Sequence, residues 1–373
     1  MAEVQTEELR KEAARHAVPA LKAEPFSSNG VRLTRNEWLL VMAFTLALYV
    51  LTPAIWKRAD EFAPGADYRM PFSLSQDYWF FQRYAERAVT QYDTVVVGDS
   101  VIWGQYVTRE QTLTHYLNEQ CGAQRFANLG LNGSHPMALA GLLEHYGQSI
   151  SGKNVVLHFN LLWLSSPKHD LSIEDEFRFN HPQLVPQFSP WIACYKEQIS
   201  TRLGITAQRN SPFSGWTNHL QAAYFNESDI PAWTLAHPYE CPLGKIDMKL
   251  PTAGDPPQQP PVPWTTRTQG NQDLAWVQPQ QSLQWQAFQR ALKILQQRNN
   301  DVLVLVTPFN EHMLSSESHR VYQGVHAEVT QWLSDNKVRY VAPSVLPSEL
   351  YGDGSHPLAE GYRVLAREML NGK

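Results

Sequence analysis

Two short stretches far apart in the chain carry the residue types of nucleophilic catalysis. Gly98-Asp99-Ser100 closes the apolar run Val95-Val96-Val97, and Asp353-Gly354-Ser355-His356 lies near the C-terminus. A serine hydroxyl attacks a carbonyl only when a base takes its proton, and an imidazole does this best when a third group holds its tautomer. Ser100, His356 and Asp353 supply nucleophile, base and orienting carboxylate, and the spacing of Asp353 and His356 lets both share one turn. The tetrahedral intermediate of such a reaction also needs donors for its oxyanion. The backbone N–H groups of Ser100 and Gly133 and the side-chain amide of Asn160 are candidates for that role. Each motif alone has an ordinary explanation: a turn at Gly98-Asp99-Ser100, a turn or helix cap at Asp353-Gly354-Ser355-His356, a positive-φ glycine at Gly133, a satisfied strand-end amide at Asn160. Their joint occurrence, each at a predicted strand end or loop, points to acyl-ester chemistry.

Gathering these residues requires a scaffold, and the pattern from Tyr92 onward predicts one. Apolar runs mark strands over DTVVVGDS, RFANLGLNG, NVVLHFNLLWL, DVLVLVTPF and VRYVAP. Helical periodicity falls around Glu110–Gln120, over HPMALAGLLEHYG and QSLQWQAFQRALKILQQRNN, around Val321–Leu333 and over PLAEGYRVLAREML. Strands alternating with helices imply an α/β fold: a three-layer sandwich with a central parallel sheet and helices on both faces. Ligands bind beyond the carboxyl ends of such strands, where Ser100, Gly133, Asn160 and Asn310 are predicted to fall. Residues 166–280 are rich in Pro, Trp and Gln, include PTAGDPPQQPPVP and show no alternation. They are predicted to form a large irregular insertion covering part of the site.

Further candidates for substrate contact are His135, Asn310, His312 and Trp163, although a surface-loop histidine is the plainer reading of His312. Trp163 and the insertion tryptophans Trp191, Trp216, Trp233, Trp264 and Trp276 could stack on sugar rings or simply pack. Asp99 is expected to be structural, bonding backbone near its turn.

The chain has 373 residues, 43% hydrophobic and 18% charged, with a formal net charge of -5. That suffices for one large domain carrying an insertion, and the mild acidity offers no electrostatic footprint for nucleic acid. The run from Trp38 to Trp56 contains no charged residue and approaches the ~20 apolar residues a transmembrane helix needs. Tryptophans at both ends suit the headgroup zone, and Arg35 and Lys57-Arg58 fence the segment. The expected organisation is a polar cytoplasmic tail (1–36), a transmembrane helix (37–56), a juxtamembrane connector (57–91) containing an amphipathic helix over QDYWFFQRYAERA, and a catalytic domain (92–373) with the insertion at 166–280. Basic residues flank the span on both sides, so orientation rests on the short polar N-terminus staying cytoplasmic. Cys194 and Cys241 could pair in an extracytoplasmic domain, and independent thiols fit equally. No Cys/His ligand spacing calls for zinc, and neither metal nor cofactor is expected.

Four separated blocks of the chain resemble those of the SGNH (GDSL-like) hydrolase family. Gly98-Asp99-Ser100 matches the nucleophile block and Asp353-Gly354-Ser355-His356 the final Asp-x-x-His block. Asn128-Leu129-Gly130-Leu131-Asn132-Gly133 resembles the second block, whose last glycine lends an oxyanion N–H. His158-Phe159-Asn160-Leu161 falls where the third block reads Gly-x-Asn-Asp, so Asn160 matches the amide donor while His158 and Leu161 depart from the pattern. The resemblance covers residues 92–165 and 282–370. It implies the flavodoxin-like fold of that family and an esterase or O-acyltransferase working through an acyl-Ser100 intermediate. Membrane-tethered members of the family act on exported or cell-envelope carbohydrate beside a multi-span membrane acyltransferase. By that analogy the substrate is an acylated carbohydrate or other ester, and the protein a single-pass protein of a bacterial inner membrane with its catalytic domain outside the cytoplasm. A lipase or lysophospholipase, or a non-catalytic glycan-binding scaffold, would share the architecture.

Overall fold

The computed structural model describes residues 33–251, 256–267 and 271–371. The chain divides into two compact units, Met1–Leu51 and Thr52–Lys373. Helix α1 (Arg35–Ala59) begins in the first unit, where Thr34 and Glu37 cap it reciprocally: Glu37 N donates to Thr34 Oγ1 and Thr34 N to Glu37 Oε2. This capping starts the helix slightly before the predicted residue 37. Its mean hydropathy reaches 2.0 over an 18-residue window that is almost entirely exposed. With 25 residues it spans about 37 Å, enough for the ~30 Å hydrocarbon core. It is long and apolar enough to cross a membrane.

The second unit is α/β, built on a five-stranded, all-parallel sheet of β1 (Thr94–Gly98), β2 (Phe126–Gly130), β3 (Asn154–Asn160), β4 (Asp301–Thr307) and β5 (Arg339–Val341), in the order β2-β1-β3-β4-β5. Valine-rich strands suit this position because both faces are covered, and Val95, Val96 and Val97 are fully buried. The chain steps from β1 to β2, then crosses back past β1 to β3. Right-handed crossovers therefore put α4 (Leu113–Cys121) on one face and α5 (Pro136–His145), α9 (Leu283–Gln297) and α10 (Ser316–Asp335) on the other. The last helix, α11 (Ala359–Asn371), packs on α4, and α9 packs on α5. β3 stops at Asn160, short of the predicted Leu164. The Asn160 side chain accepts from Leu162 N and turns the chain into a 3₁₀ turn over Leu161–Leu164.

The segment 57–91, expected as a connector, is built into this unit. Helix α2 (Tyr78–Gln91), capped by Asp77, buries Tyr78, Phe80, Phe81 and Tyr84 in the same core as the β1 valines. Buried Arg69 also donates to the carbonyls of Trp103, Gly104 and Val107, closing the C-terminal end of the short helix α3 (Ser100–Trp103). That helix carries the nucleophile candidate.

The insertion is more helical than its composition suggests. It holds α6 (Ile199–Arg209), α7 (Pro212–Tyr224) and α8 (Ile230–Ala236), and among the described residues it adds no strand to the sheet. Leu171, Val185, Ile192, Cys194 and Tyr195 form a small second core with Met137 and Ala287. Cys194 is buried and Cys241 exposed, and both are free thiols, so the pairing entertained from sequence does not occur. Trp233, Trp264 and Trp276 are buried packing residues, whereas Trp191 is 63% exposed.

Candidate active site

The sheet order reverses direction at β1; Ser100 stands just beyond the carboxyl end of β1, and Asn160 is the last residue of the adjacent strand β3. Ser100 Oγ lies 2.8 Å from His356 Nε2. His356 Nδ1 lies 2.8 and 2.9 Å from the two oxygens of Asp353. With Nδ1–H committed to the carboxylate, Nε2 is the acceptor that faces the serine hydroxyl. The loop that carries Asp353 and His356 is tightly braced. Asp353 Oδ1 accepts from Ser355 N and His356 N at 2.9 Å each. Asn310, just beyond β4, donates its N–H to Gly354 O at 2.8 Å and its amide to Asp353 O at 3.1 Å. Asn310 is thus a fully buried brace behind the loop and not the substrate contact expected of it.

Charge within this set follows from geometry. Burial pulls the His356 imidazole down, but the charge and hydrogen bonds of Asp353, helped by Asp99, outweigh it and leave His356 above its ordinary range. Burial pushes the Asp353 carboxyl up, and the charge and hydrogen bond of His356 with two backbone N–H bonds override that and hold it well below the usual range. The site therefore stabilises an imidazolium beside an ionised carboxylate.

The oxyanion candidates lie on two neighbouring loops. Gly133 has φ +72°, and a Cβ there would meet Asn180 Nδ2 at 2.6 Å, so only glycine fits. Neither its N–H nor that of Ser100 donates to an acceptor among the described residues. Asn160 Nδ2 donates to Asp99 Oδ2 at 2.9 Å. An amide nitrogen carries two hydrogens, so one is committed and the other remains for a substrate oxygen.

Asp99 does more than the local turn predicted for it. Its Oδ1 accepts from Val101 N at 2.9 Å and lies 3.2 Å from His158 Nδ1. Its Oδ2 accepts from Asn160 and, at 3.0 Å, from the indole of Trp163. Burial alone would raise this carboxyl, yet the charge and hydrogen bond of His158, with the charge of His356 and the Val101 N–H, bring it to about 2. His158 is anchored in turn by Thr307 Oγ1, 2.8 Å from Nε2. The sequence did signal this: His158 stands where the resembling block has glycine, a large polar side chain on a buried strand that needs a partner.

The remaining candidates separate. His135 is buried, caps α5 through Nδ1 and places Nε2 3.1 Å from Asn180 O. Burial and the neighbouring His181 bring it down to about 3, so it is neutral, with both nitrogens engaged, and its ring borders the cavity beside Trp163. His312 is exposed, with Nε2 3.0 Å from Leu346 O. Trp163 is half-buried and borders a cavity of about 250 Å³ with Lys168, His169, Phe177, Phe179 and Asn180. Trp163 links that cavity to Asp99, and Asn180 links it to Gly133. Among the described residues no cluster of His, Cys, Asp and Glu is arranged to hold a metal ion.

A scan against protein-family models and a search of curated proteins return no match to this chain.

Proposed function

We propose that the protein is a membrane-anchored serine esterase or O-acyltransferase of the SGNH (GDSL-like) type, with the flavodoxin-like fold of that family. The observation that carries this reading is the continuous hydrogen-bonded line from Ser100 Oγ through the His356 ring to Asp353. In the proposed reaction Ser100 Oγ attacks an ester carbonyl while its proton passes to His356 Nε2. The oxyanion is met by the N–H groups of Ser100 and Gly133 and the free amide hydrogen of Asn160. As the intermediate collapses, His356 returns the proton to the leaving alcohol and an acyl-Ser100 remains. Water or an acceptor hydroxyl, deprotonated by His356, then takes the acyl group and regenerates the serine.

The substrate proposed is a short O-acyl group on exported or cell-envelope carbohydrate. In its support, the cavity beside Trp163 is about 250 Å³, below the ~300–1,000 Å³ usual for ligand pockets, which suits one ring or a short acyl chain better than a long one. Trp163, Phe177 and Phe179 give it aromatic faces. Helix α1 supports anchoring in a membrane; the setting proposed is a bacterial inner membrane, with the polar N-terminus cytoplasmic and the site outside. A multi-span membrane acyltransferase is then the natural supplier of acyl groups.

The test is turnover by the full chain in detergent of nitrophenyl acetate and nitrophenyl palmitate, followed by acyl transfer to polysaccharide. Acetate turnover that disappears in Ser100→Ala is expected. A preference for palmitate would return the lipase reading, and no turnover of either ester would overturn the enzyme reading.

A further inference from the structure

We propose that Tyr106 and Arg267 are positioning residues for the triad: the phenol holds Asp353, and the guanidinium, carried on the end of the insertion, holds the phenol. The proposal rests on the Ser100–His356–Asp353 reading above. Tyr106 follows helix α3, and its hydroxyl donates to Asp353 Oδ2 at 3.1 Å. Its ring, 2% exposed, lies 5.6 Å from the His356 ring. A Cβ on Gly352 would come within 2.7 Å of the Tyr106 ring, so glycine is what lets the phenol lie against the catalytic loop. Arg267 Nη2 donates to the Tyr106 oxygen at 3.3 Å. A hydroxyl that accepts there is left to point its own hydrogen at the carboxylate.

The segment bearing Arg267 is tied to both halves of the site. Gln259 N donates to Gln105 O at 3.3 Å, beside Tyr106. Trp264 N donates to Tyr351 O and Trp264 Nε1 to Ser348 O, each at 2.9 Å, just before the Asp353 loop. Residues 256–267 thus strap the loop after the nucleophile to the loop that bears the base. Arg267 makes no ion pair among the described residues, and its guanidinium is directed at the Tyr106 oxygen.

The charged and titratable groups facing His356 are Asp353 on its own loop, Asp99 at the β1–α3 junction and Tyr106 after α3, with Arg267 of the strap behind Tyr106. Behind the nucleophile helix stand Tyr362 of α11, bonded to Val101 O, and Arg69, bonded to Trp103 O. The two carboxylates favour the imidazolium. The phenol opposes it by donating to Asp353, and Arg267 holds the phenol in that orientation. Removing either should make His356 more basic as well as loosening Asp353.

The experiment titrates His356 by NMR in the full chain in detergent, with ¹³C-labelled histidine and the resonance assigned by His356→Gln. Arg267→Met and Tyr106→Phe are each expected to move the His356 midpoint to higher pH, and Arg267→Lys to restore it. Several-fold slower reaction of Ser100 with a fluorophosphonate should accompany the shift. A merely structural strap would leave the midpoint in place, so coincident midpoints in the wild type, Arg267→Met and Tyr106→Phe overturn the proposal. Tyr106→Phe deletes one oxygen and keeps the ring, so it carries the test even where Arg267→Met fails to fold. The titration reads His356 whether or not esters are cleaved, and an inactive protein counts against the esterase reading alone.

Discussion

The proposed nucleophile, Ser100, and its proposed base, His356, are held in different ways. Ser100 stands at the end of β1, a central strand paired on both sides, and its short helix is closed by Arg69. Asp353 and His356 stand on a loop outside any strand, fixed by side chains from three other places: Asn310 beyond β4, Tyr106 after the nucleophile and Arg267 behind it. The first position follows from sheet geometry, which many residues share. The second depends on single hydrogen bonds, so remote substitutions should disturb the base far more readily than the nucleophile.

Substitutions can break this comparison, and the largest effects fall on the reacting groups. His356→Ala should lower kcat about 10⁶-fold while the fold persists, as loss of a triad base does; single-turnover kinetics and circular dichroism check both halves of the statement. Asn160→Ala should cost on the order of 10²–10³ in kcat with little change in KM, the signature of a donor that acts in the transition state. Asn310→Ala should remove about 1–3 kcal/mol of stability by leaving the Asp353 carbonyl without its side-chain donor and lower kcat, whereas His312→Ala, at an exposed site, should leave both melting and rate nearly unchanged. Equal effects at these two positions would contradict the bracing assigned to Asn310.

The pH profile sharpens the same contrast. His356 must be neutral to accept the serine proton, and Asp353 holds it above its ordinary range. Activity should therefore fall as pH drops, with an acid limb above the ordinary histidine value of about 6.5. Asp353→Asn should move that limb to lower pH as it lowers the rate, because the charge that favours the imidazolium is gone.

How much of this was legible in the sequence depended on the range of the forces involved. The five strands and the helices between them were readable because buried parallel strands are continuous apolar runs and covering helices are amphipathic. Ser100, Gly133 and Asn160 were readable because each ends or follows such a run. The insertion helices were missed, although Ser211-Pro212 and Asp229-Ile230-Pro231 carry the cap-then-proline signal of a helix start. The connector 57–91 was misplaced because aromatic residues flanking a predicted membrane span fit an interface as well as a core, and only tertiary packing distinguishes them. The reach of Asp99, the brace of Asn310 and the contact of His135 Nε2 all depend on partners far along the chain, such as Trp163, Gly354 and Asn180. No local pattern encodes those contacts.

One measurement tests the central claim most directly. The full chain in detergent is treated with a serine-directed fluorophosphonate, and the adduct is mapped by mass spectrometry in the wild type and in His356→Ala. A single adduct on Ser100, nearly abolished in His356→Ala, is the predicted result. An adduct on another residue, or labelling of Ser100 indifferent to the loss of His356, would contradict it.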